Sequence, residues 1–147
     1  MILTKLSTKA EISGIYEIYK HCMYMPSPDK FNKKVDLWLG DRNISVLAFT
    51  DKKQIKGVIV LSFLEQNKAE IIGIAVDETA RNKGIGTYMI NTVINEFNLS
   101  FLYAETDKDA VGFYRKNGFR ILEFYENLNG ETVTRYKCEK RCEKWLF

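Results

Sequence analysis

The stretch Arg81-Asn82-Lys83-Gly84-Ile85-Gly86 decides how the rest of this chain is read. Upstream lies the apolar run Ile71-Ile72-Gly73-Ile74-Ala75-Val76, a candidate buried strand. Downstream, Ile85, Met89, Ile90, Val93, Ile94 and Phe97 recur at the spacing of an amphipathic helix. Two glycines thus stand where a loop turns into a helix, with Arg81 and Lys83 just before them. The first turn of a helix leaves N–H groups without partners, and that end carries partial positive charge. Glycine has no Cβ, so an anion can come close to those amides. The combination suits a phosphate or pyrophosphate.

Two common phosphate binders do not fit. In the dinucleotide fingerprint G-x-G-x-x-G the third glycine position is Met89 here, and residues 77–83 separate the strand from the helix. A nucleoside-triphosphate loop requires G-K-[ST], which occurs nowhere in the chain. What remains is R-x-x-G-x-G opening a helix after a loop.

Working outward, residues 2–6 read as a strand, and Ser7 or Thr8 can cap a helix after it. That helix is expected through Ile12, Ile15, Tyr16, Ile18, Tyr19 and Cys22. Residues 23–29 hold both prolines and read as a loop. Phe31, Val35, Leu37, Trp38 and Leu39 predict a short second helix ended by Gly40. Residues 44–49 and 55–64 read as a hairpin, followed by a strand over 69–76. After the glycine loop and its helix comes the strand 101–104, and strand-helix-strand implies a right-handed crossover with a parallel pair. Thr106 or Asp107 caps a helix ending near Asn117-Gly118. Gly112 inside it costs ~1 kcal/mol against alanine, which points to a close approach there. Residues 119–125 and 132–138 form the last hairpin about Asn129-Gly130, before a charged tail ending Trp145-Leu146-Phe147.

A second pattern lies in residues 104–119. An apolar strand ends, a cap opens a helix, and Ala110-Val111-Gly112-Phe113-Tyr114 leads to Gly118-Phe119. Together, R-x-x-G-x-G and A-x-x-F-Y-x-x-x-G-F resemble the signatures of the GNAT superfamily of N-acetyltransferases, in the right order. The likeness covers nearly the whole chain and is weakest before residue 44, where only element type matches. Asn82 stands where many relatives have glycine, and asparagine tolerates left-handed backbone. Asp107 replaces a more frequent asparagine, and it can cap the helix without donating a side-chain hydrogen bond.

The resemblance implies an α/β (α+β) fold: a twisted, largely antiparallel sheet of about seven strands, about four helices on its two faces, and a parallel pair splayed for the cofactor. It implies acetyl-coenzyme A as co-substrate and a primary amine, of a small molecule or a protein, as acceptor. Ile74, Ala75 and Val76 would face the pantetheine arm, and an N–H near Ile74 would hold the thioester oxygen. Arg81, Asn82, Lys83, Gly84, Ile85, Gly86 and Thr87 would hold the pyrophosphate, with Asp107 and Tyr114 also at the cofactor. A phenol of pKa near ~10 stays protonated at neutral pH, so Tyr114 can give a proton to the leaving sulfur. Its other reading is a core aromatic packed on the sheet. Glu70 opens the strand before the loop and is the candidate base; the alternatives are a water chain, with Glu70 a solvated strand-end residue, or Glu65 or Glu105. The resemblance implies acceptor recognition at Tyr24, Met25, Trp38 and Tyr125, whose aromatic and methionine content reads either as an apolar pocket or as core. A non-catalytic acyl-coenzyme-A-binding module of the same fold is the alternative.

The bulk composition agrees. The 147 residues suit a single domain spanning 1–147, and 46% hydrophobic content suffices for a core. A net charge of +3, without aromatic-basic interleaving, does not indicate nucleic acid. No apolar run approaches the ~20 residues that cross a bilayer, and residues 1–6 do not read as a signal peptide. Cys22, Cys138 and Cys142 are sparse and odd in number, which suggests reduced thiols in the cytoplasm. Cys138 and Cys142 with His21 lack a marked fourth ligand, so no metal is expected. A homodimer is admitted.

Overall fold

The computed structural model describes residues 1–142, so the tail ending Trp145-Leu146-Phe147 lies outside the described residues. In chain order the strands are β1 (Ile2–Leu6), β2 (Ile44–Asp51), β3 (Gln54–Glu65), β4 (Lys68–Val76), β5 (Phe101–Thr106), β6 (Arg120–Leu128) and β7 (Glu131–Arg141). The helices are α1 (Lys9–Ser13), α2 (Tyr16–Tyr19), α3 (Pro28–Leu39), α4 (Ile85–Glu96) and α5 (Val111–Lys116), with single 3₁₀ turns at Lys20–Cys22 and Glu78–Ala80. The described residues form one seven-stranded sheet, ordered β1-β2-β3-β4-β5-β7-β6. All neighbours are antiparallel except β4 and β5.

The alternation of the strands separates two cores. On one face Leu47, Phe49, Ile59, Leu61, Ile71 and Leu102 pack under Met89, Ile90 and Val93 of α4, with Val111 and Tyr114 of α5. On the other, Val46, Ala48, Val58, Val60 and Ala75 pack under Ile12, Ile15, Tyr19, Phe31, Val35 and Trp38 from α1 to α3. Both faces of the sheet's centre are thus covered, which is why β2 to β4 read as nearly continuous apolar runs.

The expected first helix is broken into α1, α2 and a 3₁₀ turn. Gly14 and Ile15 donate to carbonyls only three residues back, at 3.2 and 3.1 Å, and this tight turn redirects the chain. Five α-helices among the described residues therefore stand where about four were expected. The helix expected from Asp107 is also shorter. The Asp107 carboxylate accepts from Asp109 N and Ala110 N at 2.9 and 3.1 Å, closing a turn before α5 starts. A Cβ on Gly112 would meet no protein atom within 4 Å, so no close approach occurs there.

Close approaches fall at other glycines. A Cβ on Gly73 of β4 would lie 2.6 Å from two ring carbons of Tyr19. That ring is held by Trp38 and Phe31, with centroids 5.1 and 5.9 Å away, and cannot yield easily. A Cβ on Gly57 would instead meet the sulfur of Met89 at 2.7 Å, the far end of a flexible side chain. Gly73→Ala is expected to cost roughly 1–3 kcal/mol, as overpacked cores do, and Gly57→Ala distinctly less. Chemical denaturation of both variants checks the order; equal losses would remove the clamp around Tyr19.

Candidate active site

The site begins where a parallel pair ends. β4 and β5 are joined at Lys68–Phe101, Ala69–Leu102 and Glu70–Tyr103, and then they part. Beyond that point β5 pairs only with β7, and β4 only with β3. Opposite the gap, Val60 faces Gly73 while Leu61 faces Ile71, so Ile72 is the extra residue of a bulge. A bulge bends its strand and increases the local twist, and here it turns β4 away from β5. Residues 71–76 consequently present one free backbone edge.

A cavity of about 600 Å³ occupies the opening. From β4 it is walled by Ile74, Ala75 and Val76, and from the loop and α4 by Arg81, Asn82, Gly84, Ile85, Gly86 and Thr87. Every one of these was picked out from sequence. The loop has the expected form: Asn82 has φ 62° and Gly84, the N-cap of α4, has φ 76°. A Cβ on Gly84 would meet open space, so its amide region is accessible. The starts of α1 and α3 are capped by Thr8 and Ser27, but α4 has no side-chain cap. Among the described residues no backbone carbonyl accepts from the N–H groups of Ile85, Gly86 or Thr87. Those donors face a cavity rimmed by Arg81 and by Lys116 of α5, an electropositive arrangement that fits a diphosphate. Arg81 is steadied by donating from Nε to the Val76 carbonyl at 3.3 Å. Lys83 does not line the cavity.

Other wall residues were not found from sequence. Asp109, Ala110, Phe113 and Lys116 present one side of α5 and the turn before it. Their spacing by three and four is a helical stripe, which local sequence alone does not tell from a core face. A Cβ on Gly86 would stand 2.7 Å from the Phe113 ring, so Gly86 admits that ring to the start of α4. His21 and Cys22 enter through the 3₁₀ turn after α2, and nothing in their local sequence marks them.

Tyr114 lies behind this wall and is 5% exposed. Its ring is set between Phe113 and Phe119, with centroids 5.3 and 5.1 Å away. Burial first, then proximity to Cys138 and Cys22, holds its phenol above the ordinary tyrosine pKa, so it stays protonated. Cys22 donates its thiol to the Tyr19 carbonyl at 3.2 Å. It is reachable from the cleft, yet the protein packed around its sulfur pushes the thiol up to about 11.

Glu70 stands at the fork of the two strands, beside Tyr103. Tyr103 donates to Glu105 at 2.8 Å, and Glu105 lies near Glu70. Partial burial, then Glu105, raises the Glu70 pKa above the ordinary carboxylate value. Among the acceptor candidates, Tyr24 is 87% and Tyr125 70% exposed, and Met25 is exposed beside Tyr24. Trp38 is a correction: it is 6% exposed and packed edge-on against Tyr19 and Phe31. It lies one turn after Val35 and two after Phe31, on the buried side of α3, and cannot form an acceptor surface. Asp107 does not line the cavity; its carboxylate is taken up by the turn before α5. Cys22 and Cys138 form no disulfide, and Cys138 lies inside the core. No helix among the described residues is long and apolar enough to cross a membrane.

The sequence model of the acetyltransferase (GNAT) family matches residues 12–119, and this chain belongs to that family. None of the curated proteins matches it by sequence. Among solved structures, the fold is similar to a GNAT family acetyltransferase from Elizabethkingia anophelis with acetyl-CoA bound, at 21% identity and TM-score 0.70, covering 96% of this chain and 97% of that one. It is also similar to a mutant spermidine N-acetyltransferase SpeG from Vibrio cholerae, at 16% identity and TM-score 0.71, covering 96% and 95%. A ribosomal-protein-alanine N-acetyltransferase from Brucella melitensis matches at 15% identity and TM-score 0.70, covering 97% and 100%. At these identities the likeness establishes the fold.

The raised Glu70 pKa has a consequence for stability. A carboxyl whose folded-state pKa exceeds its unfolded value binds more protons when folded. Its contribution is full below the ordinary carboxylate range and is lost as pH rises through the folded value. Glu70→Gln is expected to flatten that fall in a series of thermal melts between about pH 4 and pH 7. An unchanged profile would show that Glu70 is solvated like a free side chain.

Proposed function

We propose that the protein transfers the acetyl group of acetyl-CoA to a primary amine, of a small molecule or a protein, by direct attack. The observation that carries this reading is one cavity bounded by the free edge of β4 on one side and the uncapped start of α4 on the other. When bound, acetyl-CoA supplies a thioester carbonyl open to an amine. The start of α4, with Arg81 and Lys116, holds the diphosphate. The free edge at Ile74, Ala75 and Val76 takes the amides of the pantetheine arm as an added strand. An N–H near Ile74 is aimed at the acyl oxygen, where negative charge develops.

Two protons must move. An alkylammonium of pKa near ~10 has to lose one before it can attack. Glu70, beside the strand fork and with a raised pKa, takes it directly or through water. Tyr114, kept neutral by burial, gives its phenolic proton to the departing sulfur. Tyr24, Met25 and Tyr125 lie on exposed segments and are assigned to acceptor recognition. We extend the proposal to a single acetyltransferase domain working in the cytoplasm, which the thiols of Cys22 and Cys138 suit, with a homodimer admitted.

Calorimetry with coenzyme A is the primary test: binding is expected, and its absence from folded protein overturns the reading. Release of free thiol over an amine panel tests transfer. Binding without turnover on any amine would identify an acyl-CoA-binding module instead. Tyr114→Phe is expected to lower kcat by roughly 10²-fold or more while leaving cofactor affinity unchanged. Glu70→Gln is expected to remove the rising limb of the kcat/KM profile above the ordinary carboxylate range. A limb that survives assigns the proton to a water chain.

A further inference from the structure

Ile74 and Cys22 wall one part of the cavity, its inner end, and Arg81 and Lys116 wall another, its outer end. Immediately behind them lies Tyr19 of α2, 2% exposed, with its phenol tip seated on Gly73 of β4. Trp38 and Phe31 fix that ring from two directions, at 5.1 and 5.9 Å between centroids. From the other face of the sheet Tyr114 arrives with an equally fixed ring, held by Phe113 and Phe119. Tyr19 and Tyr114 lie close enough to interact electrostatically, and Cys22 donates its thiol to the Tyr19 carbonyl at 3.2 Å. Gly73, under the Tyr19 phenol, belongs to the part of β4 beyond Glu70 that has parted from β5.

We infer that Tyr19 is a specificity-determining residue that limits the transferred group to acetyl-sized acyl chains. The inference rests on the reading that the cavity holds an acyl-coenzyme A with its thioester at this inner end. Protein interiors are close-packed, and added methylenes displace neighbours only at a cost. An acetyl group adds one methyl beyond the carbonyl. A longer chain directed inward meets Tyr19, which cannot swing away because Trp38 and Phe31 occupy the space beside it. Nor can it retreat toward β4, where the phenol already rests on a residue with no side chain. Turned the other way, the chain fills the approach past Glu70 that the acceptor amine requires. A smaller residue at position 19 leaves the outer cavity untouched and deepens its inner end.

The test is calorimetry of the whole protein with coenzyme A, acetyl-CoA, butyryl-CoA and hexanoyl-CoA. Coenzyme A and acetyl-CoA are expected to bind within a few-fold of each other. Hexanoyl-CoA is expected to bind at least about tenfold more weakly than acetyl-CoA, the scale on which pockets resolve added methylenes. Tyr19→Leu is expected to bring that ratio close to one with acetyl-CoA affinity retained, whereas Tyr19→Phe, which keeps the ring, preserves the discrimination. A purely structural role would weaken all four ligands alike. Tyr19→Met, flexible and intermediate in size, gives the same comparison if the leucine variant does not fold. Hexanoyl-CoA bound as tightly as acetyl-CoA by the wild type, or a ratio unmoved by shrinking Tyr19, overturns the inference. Failure to bind coenzyme A at all is a separate result that overturns the function proposed above.

Discussion

The parallel hydrogen bonding between β4 and β5 stops after Glu70 and Tyr103, and the rest of the molecule is arranged around that stop. A parallel pair requires a crossover, and here α4 provides it, running back over the sheet with Met89, Ile90 and Val93 buried. The crossover forces the end of β4 and the start of α4 to lie together. Had the strands stayed paired to their ends, this junction would be one more covered loop. The bulge at Ile72 turns β4 aside, and the backbone edge it frees faces the same space as the unpartnered amides of α4. An exposed strand edge is a liability in a monomeric protein. This one is sheltered by α5 and the 3₁₀ turn at Lys20–Cys22, so access is left to a ligand entering through the cavity.

Both helical layers reach the gap by the same device. On one face Tyr19 lies against Gly73, and on the other Phe113 lies against Gly86. Each glycine gives up backbone entropy and packing of its own, and in exchange an aromatic ring approaches the backbone more closely than any Cβ would allow. The rings themselves belong to fixed clusters, Tyr19 with Phe31 and Trp38, Phe113 with Tyr114 and Phe119. The walls of the cleft are therefore extensions of the two cores.

Much of this was legible before any coordinates. The period of the apolar residues located every strand and α4, and the left-handed positions at Asn82 and Gly118 followed from residue type. Where the reading failed, tertiary contacts outweighed local preference. Ile12, Ile15 and Tyr19 keep helical spacing although the chain turns at Gly14, because all three serve one buried surface. Trp38 looked like a recognition residue, since an aromatic side chain on a helix has the same local signature in a core as at a pocket. Cys22 and His21 reach the cleft only because α2 packs on Gly73, a contact between residues far apart in the chain. No pattern within either segment encodes it.

The chemistry of the cleft is graded along its length, and the grading follows from burial. At the outer end the cationic side chains of Arg81 and Lys116 are exposed, so this end draws an anion. At the inner end Tyr19 and Tyr114 lie in protein that disfavours their ionised forms, and Cys22 is held up to about 11, so all three are neutral near pH 7. A ligand charged at one end and apolar at the other is thereby oriented by solvation before any specific contact is made. For the amine acceptor of the proposed reaction the same environment sets a demand. An ammonium ion brought to a neutral, desolvated end gains nothing until it loses its proton, and Glu70, at the fork of the strands beside Tyr103, is a carboxyl whose own pKa is raised. Burial acts in the same sense on all three groups, raising the pKa of both phenols and of the Glu70 carboxyl.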